Sequence, residues 1–426
     1  MSAHFFAVTT AVVLLSGFWL RLWLDVRQTR HVAARRGAVP ESFARRVPLA
    51  AHQKAADYVC ARIGLDRVCL TLDTLFFIAL TWCGGLAAIY AFWDARFSGL
   101  LLEMAFLVSV IGLNAAIDLP LEIYATFRLE AHFGFNRSTP RLFFTDMLRN
   151  LFLFCLFGLP LMALALWLMR AAGSLWWFYL WLVWVSFSLA MLIAYPLWIA
   201  PWFNRFDPLP SGEARDRIEN LLARGHFAGR DVYVMDGSRR SGHGNAYFAG
   251  FGKSRRIVFF DTLIARLTPG EIEAVLAHEL GHFHHRHIPK RMAFILLGGL
   301  LVLAALDALL RAPWFFEGLG LPAAQTGSSA IALVLFALTL PLYAFFLTPL
   351  FSYFSRRDEA EADAYAARLS SASDLASALV RLYEDNAATL TPDPLHSRFY
   401  DSHPPAAERV ERLLTLAALR APESDT

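Results

Sequence analysis

The sequence has little cysteine. Its four residues, Cys60, Cys69, Cys83 and Cys155, show no metal-type spacing, and two of them lie inside apolar runs. Neither a disulfide framework nor a cysteine zinc site is indicated. Net charge is scarce as well: a formal +3 is too small to imply a nucleic-acid partner. No basic stretch precedes the first apolar run, Phe5 to Leu24, whereas Arg21, Arg27 and Arg30 lie at or beyond its end. That is the reverse of a cleaved signal peptide, and the run reads as a first membrane helix. Ionisable residues inside the apolar runs are few, chiefly Asp73, Glu103, Asp118 and Asp307, several of them near the predicted ends. Transport pathways need such groups deeper in the bilayer, which argues against a transporter or channel with a structural metal.

Apolar residues are abundant. They make up 57% of the chain, with 14% aromatic and a mean hydropathy of +0.43, too apolar for a soluble protein of this length. Further runs long enough to span follow at about Leu72 to Trp93, Ser98 to Leu119, Leu151 to Met169, Leu175 to Ala200, Met292 to Leu310 and Ser328 to Leu350, which makes seven. Of 39 Lys and Arg, the loops after spans two, four and six hold only Arg96, Arg170 and Arg311. The positive-inside rule therefore places the amino terminus outside and the other loops and the carboxyl tail in the cytoplasm. Between the first two spans, Arg27 to Arg67 is basic and contains Pro40 and Pro48. It reads as an interfacial helical segment drawn to anionic lipid or, equally, as a solvated surface loop.

One substantial polar insertion, residues 201–291, interrupts the spans. A helix from about Gly212 to Arg224 precedes three strand-like runs, Asp231 to Met235, Asn245 to Phe251 and Arg256 to Phe260, which suggest a small sheet. A peptide could add to an exposed edge at Asn245-Ala246-Tyr247, although a purely structural hairpin fits the pattern as well. The insertion ends in Glu271 to Arg286, which reads as a helix with Thr268 as N-cap, Pro269 at the first helical position and Glu271 completing a capping box. His278 and His282 are four residues apart, so their imidazoles share a face and can close on one ion, with zinc the first choice. Glu279 is placed to take a proton from a water there. From Met292 this helix can run on into span six, about 15 Å beyond His282 at 1.5 Å per residue, with Pro289 as a candidate kink.

The third ligand must come from elsewhere. After span seven, Ser355 to Ala366 is rich in strong helix formers, and Glu359 and Asp363 share a face. Alone, the acids of this stretch with Arg356 and Arg357 would read as a solvated charged helix. With a histidine pair on the same membrane side, Glu359 becomes the candidate third ligand and Asp363 the acceptor of a ring N–H from one of the histidines.

These residues together resemble the type I CAAX prenyl protease family of membrane-embedded zinc endopeptidases. The resemblance rests on the seven spans, Gly134-Phe135-Asn136, Gly242 to Phe248, Ile257 to Leu263 and His278 to His282. It continues through Glu359 to Ala364, then Ser402-His403-Pro404-Pro405 with Arg409. It implies one zinc per chain on His278, His282 and Glu359, with Glu279 activating the water. Asn245 and Ala246 would lie on a strand that pairs with substrate, and His403 and Arg409 near the cleaved carbonyl, where both can donate to an oxyanion. It also implies a peptide or protein substrate carrying a prenyl group, and a hollow helical barrel.

The fold class expected is thus mainly α: a polytopic membrane protein of seven helices enclosing a chamber, with a zincin-like catalytic part carrying a small β-sheet. Its expected parts are a membrane domain (1–200), a catalytic segment (201–291), two more spans (292–350) and a carboxyl-terminal catalytic segment (351–426). Two features depart from the family. Ala360 and Glu361 stand where an aromatic residue often follows the ligand glutamate, and Phe283-His284-His285-Arg286-His287 is richer in histidine than ligation needs. His285 falls near the face of His282 and could serve an accessory metal, but the cluster reads as interfacial and solvated. The alternative to a CAAX-type enzyme is a membrane quality-control zinc protease acting on misfolded or unprenylated proteins. The tail, Pro422 to Thr426, lacks a dilysine retrieval signal, and the richness in Ala, Leu and Arg points to a bacterial inner membrane rather than the endoplasmic reticulum. The role of Gly134-Phe135-Asn136 does not follow from residue types.

Overall fold

The computed structural model describes residues 1–227, 231–249 and 256–419. Six of its helices are long and apolar enough to cross a bilayer, or seven when one bent pair counts as a single span. The first is α1 (Ala3–Arg35), begun where the Ser2 hydroxyl accepts from Phe5 N–H. The second is the bent pair, α2 (Leu49–Leu80) and α3 (Gly85–Asp94), meeting at 54°. At the break Gly84 has φ +79°, and a Cβ on Gly85 would lie 2.6 Å from the Ala79 carbonyl oxygen, so only a glycine pair permits this turn. The basic stretch Arg27 to Arg67 is mostly further turns of α1 and α2, helical as expected rather than a loop. Its alanines and arginines sustain helix, and Pro40 and Pro48 confine the break to a link over 36–48.

The third span is α4 (Gly99–Tyr124). The fourth joins α5 (Pro140–Leu153) to α6 (Leu159–Ala171), and the fifth runs through α7 (Trp176–Ala194) into α8 (Ala200–Phe203). Each contains or leads into a π-helical turn, Ala125–Glu130, Phe154–Gly158 or Tyr195–Ile199, in a helix that holds Pro120, Pro160 or Pro196. A proline's missing N–H interrupts the hydrogen-bond ladder and favours such irregular turns.

The polar insertion contains β1 (Phe206–Pro208), α9 (Glu213–Arg224), β2 (Asp231–Met235), β3 (Ala246–Ala249), β4 (Arg256–Phe260), α10 (Asp261–Ile264) and α11 (Pro269–His284). The four-stranded sheet has the order β1-β2-β4-β3, with β2 parallel to β4 and the other pairs antiparallel. β1 is not legible in the hydrophobic pattern because it is only three residues long. The strands expected as a run therefore do not form a simple meander, and β3 occupies one edge. Gly250 and Phe251, expected to extend that strand, lie outside the described residues.

Span six is α12 (His287–Leu310). It is separate from α11: Arg286 adopts a left-handed conformation with φ 56°, so the two helices break there and not at Pro289. Pro289 sits harmlessly in the first turn of α12, where no intrahelical partner is lost. After α13 (Pro313–Glu317), span seven, α14 (Ser329–Ala344), passes through a 3₁₀ turn into α15 (Thr348–Leu369). The chain closes with α16 (Ala372–Asp385), α17 (Pro394–Tyr400) and α18 (Ala406–Ala418).

Two apolar cores hold the molecule. One gathers α9, the sheet, α11, α16 and α18 around Ile218, Phe259, Leu276 and Leu413, and takes in Phe43 and Val47 from the link after α1. The other lies in the bundle around Phe6, Leu86, Phe106, Trp176 and Leu335. A cavity of about 980 Å³ opens in the bundle, lined by Leu107, Asn114, Met162 and Leu338. Through Glu122 and Met147 it adjoins a second of about 510 Å³ that reaches Glu130, Asn136 and His243. The helices thus enclose a chamber that leads toward the polar insertion.

Candidate active site

The site forms where α11 packs on α15. The Thr268–Glu271 capping box starts α11, with both reciprocal hydrogen bonds made, so the register of the helix is fixed from its first turn. Gly281 and Ala362 set the approach. A Cβ on Gly281 would lie 2.8 Å from Ala362 Cα and 2.9 Å from its carbonyl oxygen, so any side chain there would push α15 away. The sequence reading did not use this glycine. Its signal is that glycine inside a helix costs about 1 kcal/mol relative to alanine and calls for a compensating reason.

This contact brings His278, His282 and Glu359 together. His278 Nε2 and His282 Nε2 are 3.2 Å apart, and each faces a Glu359 carboxylate oxygen, at 3.3 and 3.2 Å. Among the described residues this is the only His/Cys/Asp/Glu group whose ligand atoms all lie within 4.8 Å of one another. The residues fit a divalent cation. Glu359 Oε2 is buried without a hydrogen bond although the His278 ring nitrogen and the Arg409 guanidinium stand beside it, while His282 faces the other oxygen. Two imidazoles and one carboxylate make a familiar donor set for such an ion.

Asp363 is fully buried and organises the layer behind. One oxygen is 2.9 Å from His278 Nδ1, and the carboxylate also accepts from Arg409 at 2.8 and 2.9 Å and from Arg412 at 2.8 Å. Burial opposes a charge on the His278 ring, but its bonds to Asp363 and Glu359 prevail and lift its pKa to about 9. Arg409, expected beside the scissile carbonyl, is 4% exposed. Its guanidinium bonds Asp363, and its Nη2 also stands 3.2 Å from Glu359 and 3.3 Å from His278 Nε2. Arg412 is a further partner that the sequence reading missed. Its signal is the i, i+3 spacing from Arg409 on α18.

Glu279 lies one position round the helix, and among the described residues no hydrogen bond or ion pair engages its carboxylate. Burial pushes it above the ordinary glutamate range, while the neighbouring histidines pull the other way. His403 is exposed, with Nε2 3.5 Å from Glu359 and Nδ1 2.9 Å from the Ser402 hydroxyl. Asn245 immediately precedes the edge strand β3, and its carbonyl accepts from Phe260 N–H, which aligns Ala246 with Phe259.

The histidine-rich tract is not uniformly solvated. His287 is 4% exposed, with Nδ1 3.0 Å from His282 Nδ1 and Nε2 3.2 Å from Glu361. Glu361, which stands where an aromatic residue was expected, therefore supports a histidine behind His282. Gly134-Phe135-Asn136 is a clasp. Gly134 turns the chain at φ +78°, the Phe135 carbonyl accepts from Gly242 N–H, and Asn136 bridges to Ser241. The Phe135 ring stacks on His243 at 4.4 Å. The motif thus holds the loop that leads into β3.

Residues 28–205 match the family described as CAAX prenyl protease N-terminal, five membrane helices, and residues 208–417 match peptidase family M48. The chain is 37% identical to the CAAX prenyl protease 1 homolog of Arabidopsis thaliana over 73% of each chain. It is also 37% identical to CAAX prenyl protease 1 of Saccharomyces cerevisiae, over 73% of this chain and 72% of that one. With the homolog of Dictyostelium discoideum it shares 30% identity over 98% of each. Its fold is similar to the crystal structure of S. mikatae Ste24p, with a TM-score of 0.87 and 28% identity over 96% of this chain and 99% of that one. These eukaryotic relatives lend no support to the bacterial inner membrane expected from composition, and the matches do not favour the quality-control alternative. The spans make the chain a multi-pass integral membrane protein, and the M48 match makes it a metalloprotease, which implies a metal. Since the two matched regions follow one another with only residues 206–207 between them, and the histidine–glutamate cluster falls in the second, the chain belongs to the CAAX prenyl protease family.

Proposed function

We propose that this protein is a zinc-dependent endopeptidase that cleaves prenylated peptides at the cytoplasmic membrane face. The carrying observation is the convergence of His278, His282 and Glu359 beside the unengaged carboxylate of Glu279. His278, His282 and Glu359 would hold one zinc ion, which when bound supplies Lewis-acid polarisation of the scissile carbonyl and acidifies a water. Glu279 takes the proton of the attacking water and returns it to the leaving amine. Asp363 orients His278, and Arg409 neutralises Asp363 from behind. His403, exposed at the rim, is the donor for the developing oxyanion, since Arg409 is already committed. Substrate backbone adds to the free edge of β3 at Asn245 and Ala246.

The apolar lining of the 980 Å³ cavity suits an isoprenoid chain, and the relatives' names supply the substrate class. The orientation rests on charge. Arg170 and Arg311, two of the three arginines on the sparse side, are neutralised there by Glu103 and Asp307, and the third, Arg96, lies over the Phe92 ring. The parts proposed are residues 1–200 and 292–350 as the membrane body, with 201–291 and 351–426 forming the catalytic body. Replacing Glu279 with Gln in the purified protein should lower kcat about 10²- to 10⁴-fold. Bound zinc, measured by elemental analysis, should not change. Full activity in that variant would sink the mechanism, and equal cleavage of a peptide with and without its prenyl group would sink the substrate assignment.

A further inference from the structure

On the other side of Arg412 from the catalytic cluster lies a cavity of about 800 Å³, built by four separate parts of the chain. α1 contributes His31 and Arg35, and α15 contributes Tyr353, Arg356 and Arg357. Arg398 comes from α17, and Arg412 from α18. The only acid in the lining is Glu408. Two of the five arginines are already neutralised, Arg357 by Glu361 and Arg412 by Asp363. The other three have no ion pair among the described residues. Among the described residues the Arg35 side chain bonds only the His31 carbonyl, that of Arg356 only the carbonyls of Ser397 and Asp401, and that of Arg398 makes no hydrogen bond. Two further lining atoms, Thr391 Oγ1 and Arg412 Nε, are buried without a partner. A cavity wall that gathers three guanidinium groups without an ion pair, together with unfilled hydrogen-bonding positions, suits an anion rich in oxygen acceptors.

The cavity's position identifies the carrier of that anion. Pro349 and Tyr353, on its wall, stand at the end of span seven, where exposed Tyr353 and Phe354 mark the aromatic belt of a membrane interface. His31 and Arg35 lie seven to eleven residues past the apolar run of span one, roughly 10–16 Å at 1.5 Å per residue. The opening therefore begins at the level of the lipid headgroups, at Pro349 and Tyr353, and extends outward from it to Arg35.

We propose that this cavity binds the phosphate group of an anionic phospholipid, held by Arg35, Arg356 and Arg398. Such a ligand would tie the ends of α1, α15, α17 and α18 together, and its binding would stabilise the folded chain by mass action. The test is thermal unfolding of the full-length protein in detergent, titrated with dioctanoyl phosphatidic acid, dioctanoyl phosphatidylcholine or inorganic phosphate. Phosphatidic acid should give a saturable rise in Tm and phosphatidylcholine a smaller one. Arg398→Gln and Arg35→Gln should each weaken the apparent Kd about tenfold, the loss expected for one charge-assisted contact. The charge-matched Arg45→Gln, on the exposed link before α2, should titrate as the wild type does. Because Arg398 makes no contact that folding needs, its variant should start from an unchanged Tm without lipid. Identical titrations of Arg398→Gln and wild type would overturn the site. Inorganic phosphate as effective as the lipid at equal concentration would overturn the lipid assignment and leave a soluble phosphate as the occupant.

Discussion

In α11 the residues from Glu271 to Gly281 are buried with the one clear exception of Glu279, whereas in the span Gly173–Phe203 the most apolar stretch has no buried residue at all. The catalytic body packs like the interior of a soluble enzyme and buries charges as well: His278, Glu359, Asp363 and Arg409 are each under a tenth exposed. The bundle leaves large apolar side chains such as Leu301 and Trp198 more than two-thirds exposed, and a cavity of about 980 Å³ opens beside its core. In the first region position is decisive, because a buried charge is tolerated only when its partners are in place. In the second hydropathy suffices, because lipid accepts any apolar face.

Substitutions in the two regions should therefore differ sharply. Gly281→Val should have the largest effect, since its side chain meets backbone of α15 within 3 Å. It should abolish cleavage and reduce bound metal to near zero, with a loss of stability of about 1–3 kcal/mol or more from overpacking. Metal content together with thermal unfolding checks this, and retained metal would show that the helix contact does not set the ligand geometry. Asp363→Asn should follow. It leaves Arg409 and Arg412 facing a neutral group inside the protein, at a cost of about 3–5 kcal/mol. Metal affinity, read by competition with a chelator, should fall about 10- to 100-fold.

A pH titration sharpens the comparison further. The pKa of His278, raised in the fold to about 9, exceeds its unfolded value, so the protonated ring stabilises the metal-stripped protein fully below pH ~6.5. That contribution is lost as pH rises through about 9. The Tm of chelator-treated protein should thus fall over this window, while the zinc-loaded protein, whose His278 must be neutral to bind metal, should not show the same decline. Parallel curves would remove the Asp363–His278 pairing as a source of stability. The smallest effect belongs to the bundle: Leu301→Ala, at a side chain 71% exposed, should change stability in detergent by no more than about 0.5 kcal/mol.

Some of this was legible beforehand and some was not, for reasons that differ by residue. The spans could be read because hydropathy integrates over about twenty residues and local detail averages out. That same averaging hid the break at Gly84–Gly85, inside an otherwise continuous apolar run, and the π turns near Pro120, Pro160 and Pro196. The capping box of α11 was readable because capping depends on three or four adjacent residues. The separation of α11 from α12 was not, because an arginine at φ 56° carries no local signature and is held there by the elements on either side. The parallel pairing of β2 with β4 likewise depends on what lies between them in space. His287 and Glu361 sit in tracts that read as solvated, and nothing local beyond its spacing from Arg409 singles out Arg412. Only the folded chain shows them ranged behind the candidate ligands.

The sequence by itself determined the membrane character, the helix that presents His278 and His282 on one face, and the candidate glutamate after span seven. These follow from periodicity and composition within single segments. Tertiary structure decided that Gly281 lets α15 come close enough for Glu359 to meet the histidines, and that Arg409 reaches Asp363, Glu359 and His278 at once. It also decided that three arginines from distant segments share one cavity. Each is a matter of which surfaces touch across more than forty residues of chain, and close packing and the pairing of buried charge settle that only once the whole chain has folded.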